Sequence, residues 1–204
     1  GARVTHKLND TDWLLFHVNQ GWGTVVQPAG AGPNFGITGS KVLSPQWTAT
    51  ASYLGGDNFA GINDPAWRHL FNSVLAYKPS EDSKLSYLFD LTLGFQTDFA
   101  NSPGDDETAS WYGIQAMAKY AFKPDQYTAA RFEYLHDGSG ALFGDDLDVL
   151  TLSLNYTKVF NKHFQARAEY RHDIAGGGEP FSASRRGTTT SDQGTFILGA
   201  IVTY

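Results

Sequence analysis

Apolar and polar residues alternate with a period of two along most of the chain. Between Lys84 and Gln96, Leu85, Tyr87, Phe89, Leu91, Leu93 and Phe95 fall on one face. Lys84, Ser86, Asp90, Thr92, Gly94 and Gln96 fall on the other, with Leu88 the exception. A strand turns successive side chains to opposite sides, so this segment is a ribbon with one oily and one wet face. The pattern returns in Tyr112–Tyr120, Leu150–Thr157 and Phe164–Asp173, and more briefly in Leu14–Asn19 and Trp47–Tyr53. Phe196, Leu198, Ala200, Val202 and Tyr204 close the chain in the same rhythm. The stretch Arg68–Tyr77 alternates poorly, and its faces cannot be assigned.

Eleven strands are predicted, at 1–8, 12–22, 34–43, 46–54, 67–77, 84–96, 111–121, 126–137, 147–159, 163–173 and 195–204. Their connections alternate in length. Short ones carry turn-forming residues, as in Asn9-Asp10-Thr11, Ser44-Pro45, Lys123-Pro124-Asp125 and Asn161-Lys162. Long polar ones fall at about 23–33, 55–66, 97–110, 138–146 and 174–194. Tight turns alternating with long loops mark a transmembrane antiparallel up-and-down β-barrel. Most segments reach the roughly 9–11 residues that a tilted strand needs to cross the hydrocarbon layer. Aromatics gather near strand ends, as two interfacial belts require: Trp13, Trp47, Tyr77, Tyr120, Tyr127, Phe160 and Phe164 near the turns, and Trp22, Tyr53, Trp67, Phe95, Trp111 and Tyr112 near the loops. The competing reading is a soluble β-sandwich or lipocalin-like barrel with the oily face inward. Its interior would be large for 204 residues, and it leaves the loop-length alternation unexplained.

Composition narrows the function classes. The chain has 15 Lys+Arg, 21 Asp+Glu and no Cys, for a formal charge of −6. The acidic balance argues against nucleic acid as a partner, and the absence of Cys excludes disulfides and thiolate chemistry. No run of 18 apolar residues suggests a transmembrane helix, and Gly1-Ala2-Arg3-Val4-Thr5-His6 is expected to belong to patterned sequence and not to a signal peptide. None of the six His residues has a Ser two residues later, as an outer-membrane phospholipase strand would require, and no metalloprotease or phosphate-loop motif occurs. No enzyme, cofactor or metal site is therefore expected. Asp145-Asp146-Leu147-Asp148 offers oxygen ligands for Ca²⁺, but it reads better as a solvated loop.

Several stretches carry a family resemblance. They are Ala130-Arg131-Phe132-Glu133-Tyr134-Leu135-His136-Asp137, Leu150-Thr151-Leu152-Ser153-Leu154-Asn155-Tyr156, Arg167-Ala168-Glu169-Tyr170-Arg171-His172-Asp173 and the closing Phe196–Tyr204. With Val18-Asn19-Gln20-Gly21-Trp22 and Trp111-Tyr112-Gly113 upstream, the chain resembles the OmpL-like β-barrel porin family of Gram-negative outer membranes. The resemblance implies an outer-membrane porin: a water-filled channel for passive diffusion of small hydrophilic solutes or ions. A non-conducting barrel that anchors a larger outer-membrane assembly is the alternative, with other subunits of that assembly as partners. Family members usually end in Phe where this chain has Tyr204, and they carry more strands ahead of the point where it starts. Eleven is odd, whereas single-chain bacterial barrels have even strand numbers. Residues 1–204 are thus expected to form one barrel domain lacking N-terminal strands, part of a barrel of 12–16.

If lipid meets the oily face, the wet face lines the lumen. The expected pore-lining charges are Arg3, Lys7, Lys84, Asp90, Lys119, Arg131, Glu133, Arg167, Glu169, Arg171 and Asp173. That wall is mildly cationic, seven positive to four negative, beneath acidic loops. Arg131, Arg167 and Arg171 outnumber Glu133 and Glu169, which predicts a mild anion preference. Loop 174–194 is expected to act as a partner-binding arm or an inward constriction.

Overall fold

The alternation becomes a single antiparallel sheet. The computed structural model describes residues 1–20, 32–58, 66–97, 108–182 and 188–203. Its strands are β1 (Ala2–Lys7), β2 (Trp13–Gln20), β3 (Pro33–Val42), β4 (Trp47–Asn58), β5 (Ala66–Tyr77), β6 (Leu85–Gln96), β7 (Ala109–Lys123), β8 (Gln126–Asp137), β9 (Leu147–Asn161), β10 (Phe164–Gly176), β11 (Phe181–Ser182), β12 (Thr189–Thr190) and β13 (Asp192–Val202). Eleven of them pair in the order β1-β2-β3-β4-β5-β6-β7-β8-β9-β10-β13, each with the next strand of this sheet along the chain. The two-residue β11 and β12 form a small hairpin between β10 and β13. This is the predicted up-and-down meander. Most strand boundaries fall within three residues of those expected, while β4 and β10 run on into the expected loops and β13 starts three residues early. Trp22, Tyr204 and most of the loops expected at 23–33, 55–66 and 97–110 lie outside the described residues.

The turns are built as their sequences suggest. Asn9 Oδ1 accepts from the backbone N–H groups of Thr11 (2.9 Å) and Asp12 (2.7 Å), closing the β1–β2 turn. Asp12 Oδ1 accepts from the Val42 N–H at 3.0 Å, tying that turn to β3. This backbone hydrogen bond, with that from Asn9, holds the Asp12 carboxyl below its ordinary value. In the β7–β8 turn, the Lys158 ammonium donates to the Asp125 carboxylate and lowers its pKa likewise.

Burial is inverted relative to a water-soluble protein. Fully covered side chains are largely polar: Asn34, Gln96, Asp137, Thr151, Thr157 and Asp173. Large apolar side chains stand open instead, including Leu154 at 58% exposure, Leu152 at 48%, Leu93 at 45% and Phe89 at 44%. A contiguous apolar face of this size needs a nonaqueous neighbour. The soluble reading, which requires the oily face inward, is excluded by this arrangement. Aromatics bracket the oily face at both ends. On the turn side, Trp47 and Tyr77 lie 4.5 Å apart and Phe160 and Phe164 5.2 Å apart. On the loop side, His69 stacks on Phe95 at 4.5 Å, Tyr53 packs on Phe71 at 5.0 Å, and Tyr112 lies 6.0 Å from Tyr134. Trp13, Trp111 and Tyr127 correct the expected belts. The register puts them on the polar face, opposite Ser40, Gly94 and Thr157 respectively.

Candidate functional site: the polar face

Directly paired residues share a face, so the register alone maps the polar wall. One row runs Lys7–Trp13–Ser40–Thr50–Val74–Asp90–Gln115–Glu133–Thr151–Asp173–Gln193 across all eleven strands. The adjacent rows place Arg3, Lys119, Arg131, Arg167, Glu169 and Arg171 on the same face. Lys84 is the correction among the expected wall charges. It precedes β6, in the β5–β6 turn, where it is exposed.

Hydroxyl and amide ladders knit this wall. Thr38 donates to Ser52 (3.0 Å), Thr50 to Ser40 (3.2 Å), and Asn72 to both Asp90 (2.7 Å) and Thr92 (2.9 Å). The densest cluster spans β8–β13. Arg131 Nε lies 3.1 Å from Glu133 Oε2, and its Nη2 lies 3.4 Å from Glu169 Oε1. Arg171 Nε donates to Asp173 Oδ1 at 2.7 Å. Thr151 Oγ1 (2.5 Å) and Gln193 Nε2 (3.0 Å) complete the Asp173 shell. Three carboxylates thus meet two guanidiniums, those of Arg131 and Arg171, and of the three arginines Arg167 alone stands outside the cluster. That residue donates to Thr157 Oγ1 at 3.3 Å and has no ion-pair partner among the described residues. Asp173 neutralises Arg171 from two residues away on the same strand.

Two further charged residues of the polar face escape the sequence reading. Arg68 of β5 lies on the polar face, opposite Gln96. Its Nε and Nη2 donate to Gln96 Oε1 at 2.9 and 2.6 Å, and its guanidinium sits 5.0 Å from the centre of the Trp111 ring. Nη2 also reaches the Ala141 carbonyl at 3.4 Å, so the β8–β9 loop is tied to the polar side. The second residue is Asp137, the last of β8 and fully buried. Its carboxylate accepts from the N–H groups of Ala141 (2.9 Å), Leu142 (2.7 Å) and Phe143 (3.0 Å). Gly140 turns this loop at φ +68, where a Cβ would meet the Asp145 nitrogen at 2.9 Å. Gly94 makes room for the clamp: a Cβ there would lie 2.0 Å from the Trp111 indole. The described wall therefore carries seven cations and five carboxylates, with Arg68 and Asp137 added and Lys84 removed.

The β10–β13 segment also comes back over the polar side. Phe181 of β11 packs on Leu147, Val149 and Ala175, which occupy polar-face positions near the loops. Asp148 faces the opposite side, where the Tyr134 hydroxyl donates to Oδ1 at 2.7 Å and His136 Nδ1 lies 2.7 Å from the same oxygen. No cluster able to hold a metal ion occurs among the described residues.

The family model described as "Putative beta-barrel porin-2, OmpL-like" matches residues 1–204. The fold is similar to that of the outer membrane channel DcaP of Acinetobacter baumannii, with a TM-score of 0.64 and 14% identity over 98% of this chain. It is also similar to OmpT, an outer membrane protein of Vibrio cholerae folded in vitro, with a TM-score of 0.62 and 13% identity over 98% of this chain. The chain spans 61% and 62% of the lengths of those two proteins. No curated protein matches it.

Proposed function

The chain belongs to the OmpL-like β-barrel porin family of the bacterial outer membrane, and we propose that it forms the wall of a water-filled channel through which small hydrophilic solutes or ions diffuse passively. The observation that carries this reading is the inverted burial. A face rich in polar and charged side chains runs from β1 to β13, backed by an apolar face between aromatic belts. Charged side chains on that face need water, because charges facing lipid at mid-membrane cost about 2–4 kcal/mol each.

The sheet has two edges, β1 and β13. An unpaired edge in hydrocarbon leaves N–H and C=O groups unsatisfied. Both edge strands run toward the short-turn side, so an odd number of further strands is needed to join them with antiparallel pairing throughout. We take the working barrel to be closed in that way, by strands of the same protein or of a partner.

The balance of Arg131, Arg167 and Arg171 against Glu133, Glu169 and Asp173 removes the basis for a simple anion preference. Weak overall charge selectivity is expected instead. The two elements lying on the polar side, the β8–β9 loop and β11, favour a narrowed pore; fully closing it would give the non-conducting alternative. Currents through the full-length protein in planar bilayers separate these readings. Stable open steps that scale with bulk KCl conductivity are expected, and a closed trace at every voltage would overturn the channel.

A further inference from the structure

The geometry points to an oxyanion-binding subsite on the polar wall near the short turns, formed by Lys119, Tyr127 and Arg167 and suited to the carboxylate or phosphate group of a solute. It deepens the conducting reading above and rests on it. Lys119 stands near the end of β7, Tyr127 is the second residue of β8, and Arg167 lies near the start of β10. The register puts all three on the polar face: Tyr127 is opposite Thr157, Thr157 is opposite Arg167, and Lys119 is opposite Ala129. Their side chains converge on one ring. The Lys119 ammonium lies 3.9 Å from the centre of the Tyr127 ring. Arg167 donates to Thr157 Oγ1 at 3.3 Å and also hydrogen-bonds the Tyr127 hydroxyl. Ala129 and Thr157 are buried beneath them.

Neither cation is neutralised. Lys119 and Arg167 have no ion-pair partner among the described residues. Glu169, two residues along the same face of β10, is held by Arg131 at 3.4 Å, and Glu133 is held by Arg131 at 3.1 Å. A ring face attracts an ammonium without cancelling its charge, and two hydroxyls leave most guanidinium donors unused. Space is available as well. Gly199 faces Arg167 across β10–β13, and a Cβ there would meet nothing within 4 Å. An oxyanion seated here would take charge-assisted hydrogen bonds from both cations, which are stronger than bonds between neutral groups. On a wet wall such binding is weak, on the order of 1–10 mM. A passing solute needs that weakness, because it must leave the site as well as enter it. A site this local leaves the overall charge selectivity weak.

The experiment follows inorganic phosphate by its ³¹P line width, with the full-length protein in a phosphorus-free detergent. The protein should broaden the line with a half-saturation on the order of 1–10 mM. Lys119→Gln/Arg167→Gln should weaken binding roughly tenfold. Gly199→Leu, which keeps both cations and fills the space beside Arg167, should weaken it too. Lys162→Gln, in the exposed β9–β10 turn, should leave it intact. Acetate in excess should sharpen the phosphate line again, as shared oxyanion chemistry requires. No broadening by the parent protein, broadening undiminished in the double variant or in Gly199→Leu, or a line that acetate does not sharpen would each overturn the subsite. Planar bilayers test the reading beneath it separately: a protein that passes no current would overturn the channel, whatever the phosphate line shows.

Discussion

Leu91→Arg should weaken folding of this protein into a bilayer by about 2–4 kcal/mol, while Thr92→Arg, one residue along the same strand, should be tolerated. Leu91 stands 42% exposed on the apolar face, in the row of Ser73 and Ile114. An Arg there puts a guanidinium into hydrocarbon near mid-membrane, at about 2–4 kcal/mol. Thr92 lies on the polar face, hydrogen-bonded to Asn72 and 3.2 Å from Asp90 Oδ1. An Arg there meets water and a carboxylate, so the cost should stay within about 1 kcal/mol. Urea titrations of folding into lipid vesicles read both. A soluble protein with water on both faces would show no such asymmetry.

The second large effect is expected at Asp137. Its buried carboxylate satisfies three backbone donors of the β8–β9 loop at 2.7–3.0 Å. Replacing it with Ala strands those donors, and charge-assisted hydrogen bonds of this kind make the loss about 2–4 kcal/mol. Asp137→Asn keeps one acceptor and should fall between. Asp145→Asn, at an exposed position in the same loop, should stay within about 0.5 kcal/mol. Because Arg68 holds the same loop through the Ala141 carbonyl, Asp137→Ala should also give larger and noisier open-channel currents. Stability equal to that of the parent protein would show that the loop is held by something other than this carboxylate.

The fold was legible because its information is local. Alternation needs only neighbouring residues, and the turn chemistry of Asn9–Asp12 or Pro124-Asp125 needs only four. β5 resisted because its alternation is broken. Leu70, Val74 and Ala76 sit on the polar face opposite Gly94, Asp90 and Leu88, while Ser73 sits on the apolar face opposite Leu91. Pairing to β6 decides that strand's faces, and pairing is not visible in its own residues. Nearness to strand ends suggests the belts for Trp111 and Tyr127, whereas their parity with Gln115 and Arg131 puts them on the wet face. Leu147 and Val149 look misplaced on a polar face until Phe181, more than thirty residues on, is seen to cover them.

Arg68 was legible neither by pattern nor by motif. Its role comes from length: the side chain starts on β5, crosses Gln96 of β6 and ends over Trp111 of β7. Gly94 leaves the floor open for that indole. Such a clamp depends on three strands in one register, which no single segment encodes. The arginine count failed for a simpler reason. Asp173 and Arg171 are two apart on one strand and so share a face, a relation available from the alternation alone.

Whether one face of this sheet meets lipid and the other meets water can be read along β6. Residues 1–204 hold no Cys, so single Cys replacements along β6 from Leu88 to Leu93, with any Cys outside these residues changed to Ser, read it directly with a membrane-impermeant thiol reagent applied to the full-length protein in vesicles. Reaction at positions 90 and 92, with protection at 89, 91 and 93, is the expected result. Labelling at 89, 91 and 93 with protection at 90 and 92 would reverse the faces and contradict the channel.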